Sequence, residues 1–173
     1  MLRKTNILIN ASNLHAGGGL QVAVSFIYEI DKLKKYNLDL IVSESIHNEL
    51  TNLEVKVVLF RSYKVFNSNG MLILFNSKFQ NLLRNYDTVF TIFGPLYCWK
   101  KPKKSVVGFA QPWIVYPKNE IYLSYDVVQK FICSLKYSIQ WFFYKRSDRL
   151  IVELDHVKNR LLELFNVQDT KIN

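Results

Sequence analysis

Residues 6–24 read NILINASNLHAGGGLQVAV, and this stretch decides the fold. Residues 6–10 are a short apolar run, which predicts a buried strand. Gly17, Gly18 and Gly19 separate this strand from the segment that follows. From Leu20 to Lys35, apolar residues recur at the spacing of a helix with one buried stripe. A strand that leads through glycines into a helix predicts the first unit of an α/β sheet.

The same alternation continues along the rest of the chain. Further strands are predicted at residues 38–42, 55–60, 88–93, 105–110 and 150–152. Helices are predicted at residues 45–50, 71–84 and 123–145, and a last helix is expected to begin at Asp155 and run to about Phe165. The predicted fold class is therefore α/β, a Rossmann-like, doubly wound, mostly parallel sheet with helices on both faces.

Length and composition exclude several classes of protein. The 173 residues are 49% hydrophobic and 21% charged, which is typical of one globular domain and predicts a single domain over residues 1–173. Cys98 and Cys133 are too few for a disulfide framework, which favours a reducing compartment. The apolar run before Asn10 is too short for a signal peptide, and no stretch approaches the ~20 apolar residues that span a bilayer. A cytoplasmic protein is expected.

Positive charge is concentrated in the middle of the chain. The formal net charge is +9, and residues 61–118 carry nine basic side chains against Asp87 alone. Such a field favours phosphorylated ligands or an anionic membrane surface, although a basic run is most often a solvated surface. Nucleic acid is disfavoured, because no recognised binding motif accompanies the charge. The tightest basic run consists of Lys100, Lys101, Lys103 and Lys104.

The three glycines are the strongest local signal for a ligand. Glycines at a helix start let a phosphate approach the backbone, where the first N–H groups attract an anion. Two known fingerprints fail, because G-x-G-x-x-G would need glycine in place of Val22 and a Walker A loop would need a following Gly-Lys-Ser or Gly-Lys-Thr. A plain strand-to-helix turn is the alternative. Asn13 and His15 precede the glycines, and His15 could contact a phosphate or act as a base.

A second candidate segment is residues 108–120, GFAQPWIVYPKNE, which follows the fifth predicted strand. Trp113 and Tyr116 offer flat apolar faces, while Gln111 and Glu120 offer hydrogen bonds. Sugar-binding sites use this combination, but so do structural loops. The segment belongs to the carboxyl end of the sheet, where open α/β folds bind ligands.

The predicted helix at residues 123–145 is rich in aromatic side chains. One helical stripe predicts a core face, formed by Val128, Phe131, Ile132, Leu135, Ile139 and Phe142. The aromatic and basic residues at 141–146 are typical either of a membrane-interface edge or of a packed helix end. His47 and His156 are expected at the surface. No cluster of His, Cys and Asp has metal-ligand spacing, so no metal is predicted.

Four segments together resemble the amino-terminal half of bacterial glycosyltransferases of the GT-B fold. They are residues 10–24, the turn Phe93-Gly94-Pro95-Leu96-Tyr97, residues 108–117 and residues 150–158. The nearest resemblance is to the retaining group 1 transferases of O-antigen and capsule assembly, and it covers essentially the whole chain. It implies one of two Rossmann-like domains that face each other across a cleft, with this domain holding the saccharide acceptor.

The resemblance also implies roles for the candidate residues. Gly17 to Gly19 would reach the donor phosphates or the acceptor, and Gln111 would lie near the transferred sugar, where many relatives have histidine. Catalytic residues stay unassigned. The residues expected to bind the saccharide acceptor are Asn13, His15, Gln111, Trp113, Tyr116 and Glu120.

The family's donor motif, two glutamates separated by seven residues, does not occur here. Asp155 and Glu163 have the spacing but the wrong first residue. We therefore expect the nucleotide-sugar domain to be absent from this chain and the 173 residues alone to be inactive, with no cofactor or metal.

The implied partners are a nucleotide-sugar and a polyprenyl pyrophosphate-linked saccharide, and the implied location is the inner face of the bacterial cytoplasmic membrane, bound peripherally. In that location Lys100, Lys101, Lys103 and Lys104 would face the anionic surface. The alternative is a non-catalytic module that binds anions at membranes or on nucleic acid.

Overall fold

The computed structural model describes residues 5–33, 38–55, 57, 60–165 and 167–172. The described residues form one six-stranded sheet. Its strands are β1 (Ile7–Ala11), β2 (Leu38–Val42), β3 (Ser62–Val65), β4 (Thr88–Thr91), β5 (Lys104–Gly108) and β6 (Arg149–Ile151). The α-helices are α1 (Gly17–Leu33), α2 (Glu44–Asn52), α3 (Ser77–Arg84), α4 (Pro112–Val115), α5 (Glu120–Ser124), α6 (Val127–Arg146) and α7 (Asp155–Phe165). Short 3₁₀ helices occupy Gly70–Phe75 and Asp169–Lys171.

The sheet has the strand order of a doubly wound fold. The order is β3-β2-β1-β4-β5-β6, and every pair of neighbours is parallel. In the middle of the sheet, Ile9 pairs with Leu40 on one side and with Phe90 on the other. The first three strands therefore extend the sheet from β1 in one direction, and β4 to β6 extend it from β1 in the other direction. This arrangement confirms the predicted Rossmann-like fold.

Helices cover both faces of the sheet, as predicted. Side chains alternate between the faces along each strand, so that Leu8 and Ile9 belong to two different apolar clusters. The Ile9 cluster contains Ile27 of α1 and Leu50 of α2, and the Leu8 cluster contains residues of α3, α6 and α7. Strand β2 is buried along its whole length, as expected for a strand covered on both sides.

The third strand is not where the apolar run predicted it. Residues 56, 58 and 59 of the predicted strand lie outside the described residues. The strand begins at Ser62, which pairs with Asp39 of β2, while Val55 and Val57 pack against the Ile9 cluster. Strand β3 is at the edge of the sheet and only partly buried, so its sequence SYKV lacks the continuous apolar run that identifies an inner strand.

Two predicted helices are interrupted by side chains that cap the next helix. The predicted helix at residues 71–84 is divided at Asn76 into a 3₁₀ helix and α3. The side chain of Asn76 caps α3, because it accepts a hydrogen bond of 3.0 Å from the N–H of Phe79. The predicted helix at residues 123–145 is divided into α5 and α6. There Asp126 and Gln129 form a capping box, with hydrogen bonds of 2.7 and 3.1 Å.

The predicted core face of α6 is wrong. Phe131 and Phe142 are exposed, whereas the same helix buries Phe143 and Tyr144. Helical spacing identifies a stripe but does not say which stripe meets the sheet when apolar residues occur on several sides. The exposed members of the predicted stripe are Val128, Phe131, Ile132, Leu135 and Phe142, and Ile139 is half-buried.

The end of the described chain returns to the sheet. The sequence of residues 167–173 predicts a polar end with no further strand. In the structure, Ile172 is buried and forms a single parallel bridge with Leu150 of β6. Among the described residues, no helix is both long enough and apolar enough to cross a membrane.

Candidate functional site

The candidate site lies at the carboxyl edge of the sheet, where β1 and β4 are neighbours. The connection that leaves β1 leads to β2 on one side, and the connection that leaves β4 leads to β5 on the other. Where two such connections diverge, a crevice opens outside the strand ends, and open α/β folds bind ligands there. Gly17, Gly18 and Gly19 begin α1 at this edge, and the sequence predicted them at the start of that helix.

The loop between β1 and α1 is tied to the ends of the neighbouring strands. The N–H of Ser68, just beyond β3, donates to the carbonyl of Ser12 over 2.9 Å. The Nε2 atom of His15 lies 3.0 Å from the carbonyl oxygen of Ser68 and must donate to it, because a carbonyl only accepts. The hydroxyl of Ser43, after β2, donates to the carbonyl of Leu14. The ends of β2 and β3 therefore fix the loop that carries His15.

The first glycine of α1 has a backbone conformation that residues with a side chain rarely adopt. Gly17 has a φ of 70° and is exposed, and Gly18 has open space on its side-chain side. At Gly19 a Cβ atom would lie 3.3 Å from the Leu14 side chain and 3.7 Å from the ring of Phe93. The N–H groups of a first helical turn have no acceptor within the helix. The crevice is therefore bordered by accessible backbone donors.

Asn13 joins the two strand ends across the crevice. Its Nδ2 atom donates to the carbonyl of Phe93 over 2.7 Å. Gly94 follows with a φ of 92°, and a Cβ atom there would lie 2.4 Å from the same Nδ2 atom. The Oδ1 atom of Asn13 is the one buried side-chain oxygen or nitrogen of the described residues that has no hydrogen-bond partner. A buried acceptor of this kind is costly when it has no donor.

A cavity of about 260 Å³ lies farther along the same edge, after β5 and β6. Its polar lining comes from Gln111 and Tyr116 on the β5 side and from Glu153 and His156 on the β6 side. Glu153 and His156 are exposed, and Phe109 and Leu154 add apolar surface. The carboxylate and the imidazole are groups that can accept a proton from a hydroxyl. This cavity thus combines apolar walls with convergent polar groups, as small-molecule sites do.

Gln111 is held by a second glutamine. Its Nε2 atom donates to Oε1 of Gln140 on α6 over 3.2 Å. Gln140 also bonds to the Tyr97 side chain; burial raises the pKa of that phenol, and the bond opposes the rise. Gln111 therefore has a defined orientation beside the cavity.

Trp113 is half-buried and stacks against two tyrosines. Its ring stacks on Tyr125 at 6.0 Å and on Tyr137 at 5.7 Å between ring centroids, with interplanar angles of 14° and 11°. Tyr116 and Glu120 are exposed and line a shallow, open cavity of about 470 Å³ together with Trp113. Among the aromatic residues predicted for sugar stacking, Tyr116 is thus the exposed one.

The lysine run lies at the opposite edge of the sheet. Residues 100–104 lead into the start of β5, so they belong to the amino edge. Lys101 forms an ion pair with Asp148, and Lys103 forms one of 2.5 Å with Asp87. Lys100 and Lys104 are exposed. The structure therefore does not bring these lysines together with the other predicted site residues.

The sequence matches no protein-family model and no curated protein. The described residues include no group of three or more His, Cys, Asp or Glu side chains that could hold a metal ion.

Four residues at the carboxyl edge were not among the site residues predicted from the sequence. Phe93 and Gly94 border the crevice, and Glu153 and His156 line the cavity. Phe93 is the last residue of a predicted strand, Gly94 and Glu153 directly follow predicted strands, and His156 lies at the start of the helix predicted after one. Nearness to a strand end is the signal that could have found them, because parallel strands end at one edge.

Proposed function

We propose that this chain is the acceptor-side domain of a glycosyltransferase, which holds a saccharide while a sugar is transferred to it from a nucleotide-sugar. One observation carries the proposal. A parallel sheet of order β3-β2-β1-β4-β5-β6 places the glycine-led helix α1 and the cavity with Gln111, Tyr116, Glu153 and His156 at one carboxyl edge. The first feature suits phosphate and the second suits a polyhydroxylated ligand.

The two parts of the edge would serve different portions of the reactants. The first-turn N–H groups of α1 would stabilise negative charge on a phosphate of the donor or of the acceptor lipid. The cavity would bind the acceptor sugar, with Tyr116 against a ring face and Gln111 hydrogen-bonded to a hydroxyl. Glu153 and His156 would be the candidates for taking the proton of the attacking hydroxyl.

The proposed partners follow from the proposed chemistry. The saccharide acceptor would be linked to a polyprenyl pyrophosphate, so the protein would act while peripherally bound at the inner face of the bacterial cytoplasmic membrane. The nucleotide-sugar would be held mainly by a second domain facing the carboxyl edge. Retention of configuration and membership of the group 1 transferases are part of this proposal, as is a role in O-antigen or capsule assembly.

The first test is binding of a water-soluble acceptor analogue, N-acetylglucosamine linked through pyrophosphate to a farnesyl chain, measured by titration calorimetry. We expect His156→Ala and Gly17→Val to weaken binding at least about tenfold, because each removes or blocks one part of the edge. The matched control is Lys100→Gln at the amino edge, which should bind like the wild type. If only Lys100→Gln weakens binding, the protein is a non-catalytic anion-binding module.

The second test is turnover. The 173-residue chain is expected to bind the analogue but not to transfer sugar to it from a panel of radiolabelled nucleotide-sugars. Robust transfer by this chain alone would contradict the division of labour between two domains.

A further inference from the structure

The outward face of α6 is apolar where a surface helix is normally polar. It exposes six large apolar side chains, Val127, Val128, Phe131, Ile132, Leu135 and Phe142. Val127 is 83% exposed and Phe131 is 68% exposed. Single exposed apolar residues are ordinary, but a continuous apolar face marks a surface that meets another apolar phase.

The apolar face continues beyond the end of α6. The guanidinium carbon of Arg146 lies 5.6 Å from the ring centre of Phe142, and an Arg146 N–H donates to the carbonyl of Trp99 over 2.9 Å. The ring of Trp99 in turn meets Phe75 edge-on at 6.4 Å, and Phe75 is 80% exposed. Arg146 therefore connects the α6 face to a second pair of exposed rings.

The charges within helix α6 have one sign. Helix α6 contains four basic residues and no acidic one, namely Lys130, Lys136, Lys145 and Arg146. At 3.6 residues per turn, Lys136 and Lys145 lie on opposite sides of the apolar stripe, and both are exposed. Their long side chains can extend toward phosphate groups while the apolar stripe is buried. An apolar stripe flanked by basic side chains suits contact with the interface of an anionic bilayer.

We propose that the outward face of α6, continued by Phe75 and Trp99, docks the protein on an anionic lipid bilayer. The proposal rests on the proposed membrane association but not on sugar transfer. Self-association fits less well, because a two-fold interface would bring two copies of the same basic rim together. Because α6 cannot cross a membrane, its length of about 30 Å would lie along the surface.

This docking would place the candidate site beside the membrane. Helix α6 follows β5 and precedes β6, so it runs from the carboxyl edge of the sheet back to the amino edge. If a bilayer contacts the outward face of α6, it does not cover the carboxyl edge of the sheet. That edge then lies close to the membrane surface and stays accessible. A lipid-linked saccharide could enter the edge without leaving the bilayer.

The test is co-sedimentation of the full 173-residue chain with vesicles of phosphatidylcholine alone or mixed equally with phosphatidylglycerol. We expect binding to the anionic vesicles, and at least about tenfold weaker partitioning for the double variant Phe131→Ser/Leu135→Ser. The matched control is Leu33→Ser on α1, a residue 60% exposed on the other side of the sheet. Lys136→Gln/Lys145→Gln should weaken binding and reduce its salt dependence.

The outcomes separate this proposal from its competitors. Equal binding by the wild type and Phe131→Ser/Leu135→Ser, or no binding to anionic vesicles, would overturn it. A dimer that the same variant dissociates in sedimentation equilibrium would assign the face to a second copy of the chain. Binding of the soluble saccharide analogue without vesicles should be unchanged in this variant, so the two proposals fail separately. Unchanged thermal unfolding of each variant shows that it is folded.

Discussion

At Gly94 the backbone of the crevice leaves little room for a side chain. Its φ of 92° is unfavourable for any residue with a side chain, and a Cβ atom would lie 2.4 Å from Nδ2 of Asn13. We expect Gly94→Ala to lower the free energy of unfolding by roughly 2–3 kcal/mol, measured by urea denaturation. Gly18→Ala is the matched control, because open space surrounds that position and the change should stay within about 1 kcal/mol. Equal effects would refute the steric explanation.

Asp39 makes the stability depend on pH in a defined direction. Burial acts to raise the pKa of Asp39, but hydrogen bonds from Arg61 and Tyr86 outweigh it, so the pKa lies below its ordinary value of 3.8. Two of those bonds, from Arg61, measure 2.8 and 2.6 Å. Because the folded pKa is depressed, the stabilisation is present above pH 3.8 and is lost as the pH falls through the folded pKa.

Asp39→Asn should therefore lower the free energy of unfolding at neutral pH by about 1 kcal/mol, a modest value because the Arg61 side chain is partly exposed to solvent. The difference from the wild type should shrink below pH 3.8. Urea titrations at neutral and acidic pH measure it, and a difference that does not vary with pH would contradict the assignment. Burial also raises the pKa of the neighbouring Tyr86 to about 12, so this phenol stays protonated throughout.

At the scale of elements, Asp126 separates α5 from α6 and fixes where the long helix begins. Its side chain accepts from the N–H of Gln129, and the Gln129 side chain accepts from the N–H of Asp126. We expect Asp126→Ala to lower the free energy of unfolding by about 1 kcal/mol, followed by circular dichroism on heating. Asp126→Asn retains an oxygen acceptor and should lose much less, and an equal loss in both variants would argue against the cap.

The elements that the sequence predicted best are those buried on both sides. Strand β2 was predicted with the correct bounds, because it is covered by helices on both faces and is apolar except for Asp39. Strand β3 was missed, because at the sheet edge its sequence need not be apolar. The buried face of α6 was predicted wrongly, because apolar residues follow helical spacing on more than one side of this helix. Only the packing shows that Phe143 is buried and Phe131 is exposed.

At the scale of the whole molecule, one sheet joins both apolar clusters. Strands β1 and β2 contribute alternate side chains to each cluster, so neither cluster can form without the other. We expect a single cooperative unfolding transition in urea. Tryptophan fluorescence reports on Trp99, on Trp113 in α4 and on Trp141 in α6, while far-ultraviolet circular dichroism reports on all the helices. The two curves should coincide, and separate midpoints would show that the faces unfold independently.

The topology also decides how much of the site the sequence could predict. The glycines were predicted correctly at the start of the helix that follows the first strand, because the change from apolar strand to helical spacing is local in the sequence. Glu153 and His156 were not chosen, since their approach to Gln111 depends on β6 lying next to β5. The lysine run was expected at the functional surface, yet no local pattern shows that a loop before β5 lies at the amino edge.

The exposed ring of Trp99 provides the protein with its own optical reporter. The indole N–H donates to the carbonyl of Leu74 over 2.7 Å, and this bond holds the ring in place while it stays 60% exposed. An indole that passes from water into lipid emits at shorter wavelength. If the α6 face meets a bilayer, the emission of the unlabelled protein should therefore shift to the blue on adding anionic vesicles, and Trp99→Phe should lose that shift.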